Sequence, residues 1–310
     1  MQKIYITGKY NEQIKSVKKE VLLNSKLEWE LVDDPNESRN ILFFDHIDES
    51  LLSLPARKIF IRQEPKIVLP QNYLTNNLKK FDLVIDIGVS KKLNTNAINW
   101  PQNIKIESAS NFERDKSKVV LVNSNLLSLH NEEMYSLRRT VAYKLIKVDL
   151  YGYGWNNAIK KRIKSLLIEL KKYINQPSKI NLKGIKFYFR NQKNYKGSTE
   201  NKLQTMQKYS AALVIENSLN YVSEKLFDSF SARCIPIYVG PNLEEYEIPK
   251  NLYIQAEPSY EGISKAIEIA LKIDFKRWVI ELNEWLCSDT CKQNWSEETF
   301  LMRLKNLIDS

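Results

Sequence analysis

Short apolar runs alternate with amphipathic segments along the first hundred residues of the chain. The apolar runs predict β-strands at residues 4–7, 29–32, 41–44, 58–61 and 83–87. A polar stretch near residues 11–23 has the spacing of a helix. Strands that alternate with helical segments are typical of βαβ units, so this part of the chain predicts a parallel sheet covered by helices.

The alternation is lost around residues 96–117, which are polar and aperiodic, and we place an interdomain linker at 101–117. The pattern then resumes, with strands predicted at 119–122, 148–151, 209–215 and 235–239, and helices at 132–146, 157–174, 221–233, 258–272, 275–287 and 296–308. We therefore predict an α/β protein with two domains facing each other across a cleft. The domains are assigned to residues 1–100 and 118–290, and a C-terminal helix within 291–310 is expected to pack back toward the first domain.

Length and composition agree with this division. A chain of 310 residues exceeds the size of a single hydrophobic core, and 43% apolar with 27% charged residues is typical of a globular protein. No window approaches 18 uninterrupted apolar residues, so neither a signal peptide nor a membrane span is predicted. We expect a cytoplasmic protein.

The cysteines support a reducing compartment and not a disulfide framework. The three are Cys234, Cys287 and Cys291, too few to cross-link a chain of this length. Cys287 and Cys291 share a helical face, but His46 and His130 are distant in sequence. A Cys/His zinc site is therefore disfavoured.

Positive charge is concentrated in one part of the chain. The formal net charge is +10, whereas residues 138–208 alone carry 18 Lys and Arg against three carboxylates. A local field of this kind suits a polyanionic ligand, an anionic membrane surface or nucleic acid. For any single lysine in the segment, a solvated helix face is the simpler interpretation.

Glycine patterns narrow the choice of nucleotide ligand. The chain has eight glycines and contains neither a GxGxxG motif nor a Walker A sequence. A dinucleotide-dependent dehydrogenase and a P-loop NTPase are therefore disfavoured. In open parallel sheets ligands bind beyond the carboxyl ends of the strands, where phosphates favour helix N-termini.

Residues 209–254 carry an ordered series of short motifs. In chain order they are Tyr209, Glu216-Asn217-Ser218, Tyr221-Val222-Ser223-Glu224-Lys225-Leu226, the apolar strand that ends at Gly240, Tyr246 and Pro249. The series resembles the donor-binding block of the α1,3/α1,4-fucosyltransferases, glycosyltransferase family 10. Asn217 and Tyr221 are four positions apart, whereas the family's turn is longer, so the loop that faces the donor base or sugar differs from the family pattern.

The chemistry of this block can be argued without the resemblance. A strand ends near residue 215, polar residues turn the chain, and a helix is expected to begin near residue 220. Free amides at a helix N-terminus attract anions, and Lys225 adds a full positive charge for a diphosphate. Glu224 either complements the helix dipole or hydrogen-bonds sugar or ribose hydroxyls. Asn217 and Tyr221 are either a turn residue and a packed aromatic or, as the resemblance implies, donor contacts.

A second stretch resembles the same family. It contains Ser124-Asn125, then Arg138-Arg139 in a predicted helix, then the strand Val148-Asp149-Leu150-Tyr151 followed by Gly152. The resemblance implies a diphosphate-binding arginine in that helix and donor contacts from Ser124 and Asn125. Spacing favours Arg138, and Arg139 stays open as the alternative. An arginine fork binds phosphate oxygens bidentately and keeps its charge.

A third stretch, RKIFIRQEPKIVLP, places Glu64 in a loop after an apolar strand. The resemblance implies that a glutamate at this point is the catalytic base of the acceptor domain. A carboxylate facing the cleft would take the proton of the acceptor hydroxyl, and burial would raise its pKa toward working pH. Asp45 and Asp82 are the substitutes, and an exposed loop glutamate is the structural alternative. No DxD motif lies at a strand end, so no obligatory metal or cofactor is expected.

Taken together, the resemblance implies two Rossmann-like domains in the GT-B arrangement and an inverting transfer of fucose from GDP-fucose to an acceptor glycan. The acceptor is expected to be an oligosaccharide or lipid-linked glycan, of the kind made in lipopolysaccharide and other glycan biosynthesis. The alternative is the same fold and mechanism with a different nucleotide sugar.

The basic segment bears on two further classes of partner, an anionic membrane and nucleic acid. Residues 157–174 predict a basic amphipathic helix that suits peripheral contact with an anionic membrane, such as the inner face of the cell membrane. We expect no nucleic-acid partner, and a basic nucleic-acid-binding protein stays as the distant alternative.

Overall fold

The computed structural model describes residues 2–8, 29–102, 113–173 and 180–310. The chain divides into two compact units, one made of Met1–Asn103 with Asp289–Ser310 and the other of Ile104–Ser288. The helix predicted near residues 11–23 and most of the predicted linker lie outside the described residues. None of the described helices is long and apolar enough to cross a membrane.

The described strands are numbered in chain order. They are β1 Gln2–Gly8, β2 Trp29–Leu31, β3 Asn40–Phe44, β4 Arg57–Arg62, β5 Leu83–Ile87, β6 Ala97–Ile98, β7 Asp115–Val122, β8 Val148–Tyr151, β9 Tyr195–Gly197, β10 Tyr209–Ile215, β11 Ile235–Val239 and β12 Ile254–Gln255. The α-helices are α1 Thr75–Leu78, α2 Tyr135–Lys144, α3 Ile159–Lys172, α4 Ile185–Tyr188, α5 Lys202–Met206, α6 Glu224–Ser231, α7 Tyr260–Ala270, α8 Phe275–Cys287, α9 Asp289–Trp295 and α10 Glu297–Asp309.

The first unit is built on a parallel sheet in the order β2-β1-β3-β4-β5-β6. All five residues of β3 are buried, because a central parallel strand is covered on both faces. β3 and β4 run in register, with Phe44 opposite Ile61, so the loops that follow them leave the same edge of the sheet. Those loops carry Asp45 and Glu64.

The last helix of the chain completes the core of the first unit. Four buried side chains of α10, spaced along one helical face, pack into the cluster that contains Ile4, Ile59 and Ile85; they are Phe300, Leu301, Leu304 and Ile308. Arg57, at the start of β4, also donates a hydrogen bond to the backbone oxygen of Ile308. The C-terminal helix is therefore part of the same fold as the first strands.

The second unit is built on a parallel sheet in the order β12-β11-β10-β7-β8-β9. Counted from β7, this is the strand order 3-2-1-4-5-6 of dinucleotide-binding folds. The order reverses between β7 and β10, and in open α/β sheets this reversal point, beyond the carboxyl ends of the strands, is where ligands ordinarily bind. The loops after β7 and β10 begin with Asn123 and Glu216.

The α/β class with two parallel sheets is confirmed, and several element boundaries differ from the sequence prediction. The strands β6, β9 and β12 were not predicted, because two or three residues at a sheet edge give no periodic signal. The short helices α1, α4, α5 and α9 were not predicted either. β7 begins at Asp115, inside the stretch assigned to the linker. The helix predicted from residue 221 begins at Glu224, because Ser223 caps it.

Candidate functional site

The turn after β10 is tied to the start of α2. Glu216 is fully buried, and its backbone N–H donates to the oxygen of Val239 at 2.8 Å. The backbone N–H of Met134, just before α2, donates to the oxygen of Asn217 at 3.0 Å. These bonds fix the Glu216-Asn217-Ser218 turn at the reversal point of the sheet.

Arg138 joins helix α2 to this turn. Its Nε donates to the backbone oxygen of Ile215 at 3.0 Å, and its Nη2 donates to that oxygen and to Oδ1 of Asn217, the latter at 2.9 Å. The guanidinium lies over the ring of Tyr135, 4.8 Å from its centroid. Among the described residues no acceptor engages Nη1. The fork therefore holds the strand end with two of its three nitrogens, Nε and Nη2.

Arg139 points elsewhere, although it is adjacent in sequence. Its Nη1 donates to the backbone oxygen of Leu126 at 2.8 Å and its Nη2 to the hydroxyl of Ser136 at 3.1 Å. Burial lowers the pKa of the Arg139 guanidinium to about 10. Arg139 therefore supports the loop after β7, and Arg138 is the arginine that reaches the turn after β10.

The predicted donor residues of the β7 loop differ from each other. Ser124 is exposed, whereas Asn125 is buried. The backbone N–H of Asn125 donates to the oxygen of Tyr153 at 2.8 Å, and its Nδ2 donates to the oxygen of Gly154 at 3.4 Å. Asn125 thus ties together the loops that follow β7 and β8, and Ser124 lies on the surface of the first of them.

The N-terminus of α6 is organised by a buried carboxylate. Glu216 accepts a hydrogen bond from the backbone N–H of Ser223 at 2.9 Å and another from the Ser223 hydroxyl at 2.6 Å. The Tyr238 hydroxyl also donates to Glu216, at 3.4 Å. A carboxylate with no exposure to solvent is stabilised by such donors. Glu216 and Ser223 were not predicted as site residues, and the available signal was an acid directly after a largely apolar strand.

Lys225 extends from the first turn of α6 back over this cap. Its ammonium group donates to the hydroxyl of Ser223 at 2.9 Å and lies 3.9 Å from Oε2 of Glu216. The side chain is 16% exposed, so the charge is partly withdrawn from water yet reachable by a ligand. Lys225 therefore adds a positive charge to a helix N-terminus that already favours anions.

Glu224 and Tyr221 lie near the start of α6 and differ in their exposure to solvent. The Glu224 side chain is 63% exposed, and desolvation is outweighed by the charges of Lys225 and Lys202, which hold its pKa below the ordinary value. Tyr221 is half-buried and lies in the loop before the helix, not in the helix itself. Glu224 is consequently ionised and open to hydroxyl donors.

The structure brings Arg138, Asn217 and Lys225 together at one strand end. Arg138 contacts Asn217 directly, and Lys225 is linked to the turn through Ser223 and Glu216. Two cations beside the N-terminus of α6 form an environment that suits an anion such as a diphosphate. Within the described ranges, no cluster of three or more His, Cys, Asp or Glu side chains is placed to hold a metal ion.

In the first unit, the loop of Glu64 is held in place by Asp45. Oδ1 of Asp45 accepts the backbone N–H groups of Gln63 at 2.9 Å and Glu64 at 3.3 Å. Asp45 itself has a φ of 54°, a left-handed conformation uncommon for an aspartate. The hydroxyl of Tyr73 donates to the backbone oxygen of Glu64 at 3.0 Å. Glu64 thus follows β4 on a loop whose backbone is fixed on both sides.

A buried ion pair lies beneath this loop. Arg62 donates to both carboxylate oxygens of Asp86, at 2.6 and 2.7 Å, and lies over the ring of Tyr73 at 4.1 Å. A bidentate pair of this kind is geometrically rigid. It anchors the strand end from which the Glu64 loop departs.

Asp82, named above as a substitute base, lies at the opposite edge of the same sheet. It precedes β5, and its carboxylate accepts the backbone N–H of Lys58 at 2.7 Å. The carboxyl ends of parallel strands share one edge, so Asp82 is separated from Glu64 by the length of the strands. Asp45 lies at the same edge of the sheet as Glu64, but its carboxylate accepts hydrogen bonds from the Gln63 and Glu64 backbone.

Comparison with known protein families gives a match within the second unit. The model for glycosyltransferase family 10 (fucosyltransferase), C-terminal part, matches residues 112–274, more than half of the chain. No curated protein sequence matches significantly.

Solved structures extend the likeness to the whole chain. An α1,3-fucosyltransferase aligns with a TM-score of 0.57 and 14% identity, over 100% of this chain and 90% of the other. An α1,3-fucosyltransferase with GDP-fucose aligns with a TM-score of 0.56 and 16% identity, over the same shares of the two chains. HepE of Anabaena, in complex with UDP and glucose, aligns with a TM-score of 0.55 and 12% identity over 100% of both chains. At these identities the matches establish the fold.

Proposed function

This chain belongs to glycosyltransferase family 10, and from that premise we propose that it transfers fucose from GDP-fucose to a hydroxyl of an acceptor glycan with inversion at the anomeric carbon. The observation that carries the proposal is the cluster of Arg138, Asn217 and Lys225 at the carboxyl end of β10. It lies inside the matched region and has the chemistry that a nucleoside diphosphate requires.

Donor binding draws on three features of the second unit. Lys225 and the positive end of the α6 dipole bind the diphosphate, and Nη1 of Arg138 adds a hydrogen bond from the neighbouring helix. Glu224, ionised and largely exposed, accepts hydrogen bonds from ribose or sugar hydroxyls. Asn217 and Tyr221 border the donor on the turn before the helix, and Ser124 borders it on the loop after β7.

Catalysis then proceeds in one displacement. The Glu64 carboxylate takes the proton of the acceptor hydroxyl as that oxygen forms its bond to the anomeric carbon of fucose. The bond from this carbon to the β-phosphate oxygen breaks, and its electron pair leaves with GDP. Arg138, Lys225 and the N-terminus of α6 stabilise the negative charge of the departing diphosphate. The proposed reaction needs no reactant other than GDP-fucose and the acceptor glycan.

The support for Glu64 is its fixed position. The carboxylate follows a central strand, and Asp45 and Tyr73 hold its loop backbone. A general base gains from such rigidity because proton transfer depends on orientation within hydrogen-bond distance. Of the other two acids considered from the sequence, Asp45 holds the Glu64 backbone and Asp82 lies at the opposite edge of the sheet, so Glu64 is the base that we propose.

The length of the turn between Asn217 and Tyr221 favours a second candidate function, in which the donor is a nucleotide sugar other than GDP-fucose. Asn217 and Tyr221 are separated by a shorter turn than in the family pattern, and this turn borders the base or sugar. The same diphosphate site serves any nucleoside diphosphate sugar. Calorimetric titration with GDP-fucose, other GDP-sugars, UDP-sugars and dTDP-sugars separates the two candidates, and tighter binding of a donor without guanine would overturn the fucosyl assignment.

The acceptor is proposed to be an N-acetylglucosamine-containing glycan, free or lipid-linked. The decisive experiment incubates the protein with GDP-fucose and a panel of such acceptors and analyses the products. A fucosylated glycan with inverted anomeric configuration supports the proposal. Hydrolysis of the donor without transfer to any acceptor counts against it.

A further inference from the structure

Helix α3 has an unusual distribution of polar and apolar side chains. It buries Arg162 and Glu169, whereas Ile159, Ile163 and Leu167 are 62%, 45% and 55% exposed. These three residues recur at every fourth position and form one continuous ridge along the helix. A surface helix of a globular protein ordinarily presents such a ridge to the core.

Arg162 fixes the helix in this orientation. Its guanidinium donates to the backbone oxygens of Asn157 at 2.8 Å, Tyr188 at 2.7 Å and Trp155 at 2.6 Å. The side chain is 2% exposed, so removing it would leave several buried carbonyls without a donor. The outward direction of the ridge is therefore specified by a buried anchor.

A row of lysines lies beside the ridge. Lys160, Lys164 and Lys171 are exposed and, at 100° per residue, occupy the next strip of the helix surface. In the part of the chain that the structure describes, none of the three forms an ion pair. The only acid of the helix, Glu169, is buried and pairs with Lys172. An apolar ridge thus adjoins an uncompensated cationic row.

We propose that α3 is a membrane-docking surface that lies flat on a bilayer containing anionic lipids. Ile159, Ile163 and Leu167 would enter the boundary between headgroups and acyl chains, while the lysines extend toward lipid phosphates and carboxylates. The inference rests on exposure and charge alone and is independent of the donor and acceptor assigned above.

Charge decides among the possible occupants of this face. A second copy of the chain would bring two lysine rows together, which is repulsive at short range. Nucleic acid would satisfy the lysines but leave the isoleucines and leucine in water. An anionic lipid surface satisfies both rows of side chains at once, because its headgroups are negative and its interior is apolar.

The test is co-sedimentation of the full-length protein with vesicles. One set contains phosphatidylcholine alone and the other contains phosphatidylcholine with phosphatidylglycerol. The unmodified protein is expected to sediment with the second set and not with the first, and added salt is expected to weaken binding. Equal binding to both sets, or no binding to the anionic set, would overturn the proposal.

Variants assign the binding to this helix. The double substitutions I163S/L167S and K160Q/K164Q are each expected to weaken binding by on the order of tenfold or more. Matched controls are Ile280→Ser, which removes an isoleucine 59% exposed on α8, and K265Q/K276Q, which removes two exposed lysines from α7 and α8. The controls are expected to bind as the unmodified protein does.

All substituted residues are on the surface, and circular dichroism verifies that each variant is folded. If the α3 variants bind as tightly as the controls, α3 is not the docking surface. The proposed transferase activity is measured separately on a soluble acceptor, where the α3 variants are expected to retain full turnover. Loss of vesicle binding with retained turnover separates this inference from the proposed function.

Discussion

The carboxylate of Glu216 accepts two hydrogen bonds from Ser223, one from its backbone N–H at 2.9 Å and one from its hydroxyl at 2.6 Å. This contact joins the end of β10 to the cap of α6 across seven residues of sequence. It therefore determines where the N-terminus of α6 is positioned.

Glu216→Ala is expected to destabilise the protein by about 2–4 kcal/mol, because Ser223 and Tyr238 lose a buried acceptor. Glu216→Gln keeps one acceptor oxygen and is expected to lose less. Urea unfolding gives both values. The control is Glu261→Ala at the first turn of α7, an exposed acid, and a Glu216→Ala protein as stable as this control would contradict the assignment.

Lys225→Ala is expected to weaken donor binding by about 30- to 100-fold, the effect of losing a charged hydrogen bond to phosphate. The cap should persist, since Glu216 and Ser223 contact each other without Lys225. Titration of GDP by calorimetry measures the effect. The control is Lys250→Ala, between β11 and β12, which removes a lysine side chain that is 73% exposed. This substitution should leave the affinity for GDP unchanged. Unaltered GDP binding by Lys225→Ala would remove Lys225 from the site.

Substitution by lysine distinguishes the two adjacent arginines. Arg138→Lys retains the charge but not the fork that reaches Ile215 and Asn217, so GDP affinity is expected to fall by about tenfold or more. Arg139→Lys is expected to lower the free energy of unfolding and leave GDP affinity nearly intact. Both quantities are measured on both variants, and the reverse pattern would make Arg139 the phosphate ligand.

Glu64→Gln is expected to lower turnover by about 10²- to 10⁴-fold, the usual contribution of a general base. Affinity for GDP-fucose should be unchanged, because the substitution lies in the unit that does not hold the diphosphate cluster. Asp82→Asn at the opposite edge of the sheet is the control and should keep full turnover. Normal turnover by Glu64→Gln would place the base elsewhere.

The three cysteines are expected to react unequally with thiol reagents. Burial raises the pKa of the Cys234 thiol to about 12, with Arg114 opposing the shift, whereas Cys287 is exposed. Below pH 9 the neutral Cys234 thiol is favoured in the folded and unfolded states alike. Between about pH 9 and 12 the folded state resists ionisation that the unfolded state undergoes, so this group's contribution to stability is lost as pH rises. Labelling at pH 8 should modify Cys287 rapidly and Cys234 only after denaturation.

The sequence predicts the central strands well because their apolar runs are bounded by polar turns. β10 and β11 agree with the prediction at both ends. The start of α6 does not, since Tyr221 and Val222 fit the helical periodicity while the side chain of Ser223 ends the turn by capping. Local pattern finds the element, and the capping bond sets its first residue.

The sequence suggests the residue types of the candidate site, but only part of the contacts among them. Lys225 and Asn217 could be named from the motif, but the role of Glu216 depends on Ser223 returning to it in space. Arg138 and Arg139 are neighbours in sequence and differ by about 100° around the helix, so the direction of each follows only from the packing of α2. Asp45 likewise acts on Glu64 through the pairing of β3 with β4.

The packing of α10 on the first sheet has a consequence for synthesis. The core around Ile4, Ile59 and Ile85 is completed by residues 300–308, which leave the ribosome after the whole second unit. The second unit is contiguous along the chain, so it can fold while the rest of the chain is still being translated. The first unit thus begins before the second unit and is completed after it, and a ribosome that stops before residue 300 leaves its strands with an uncovered apolar face.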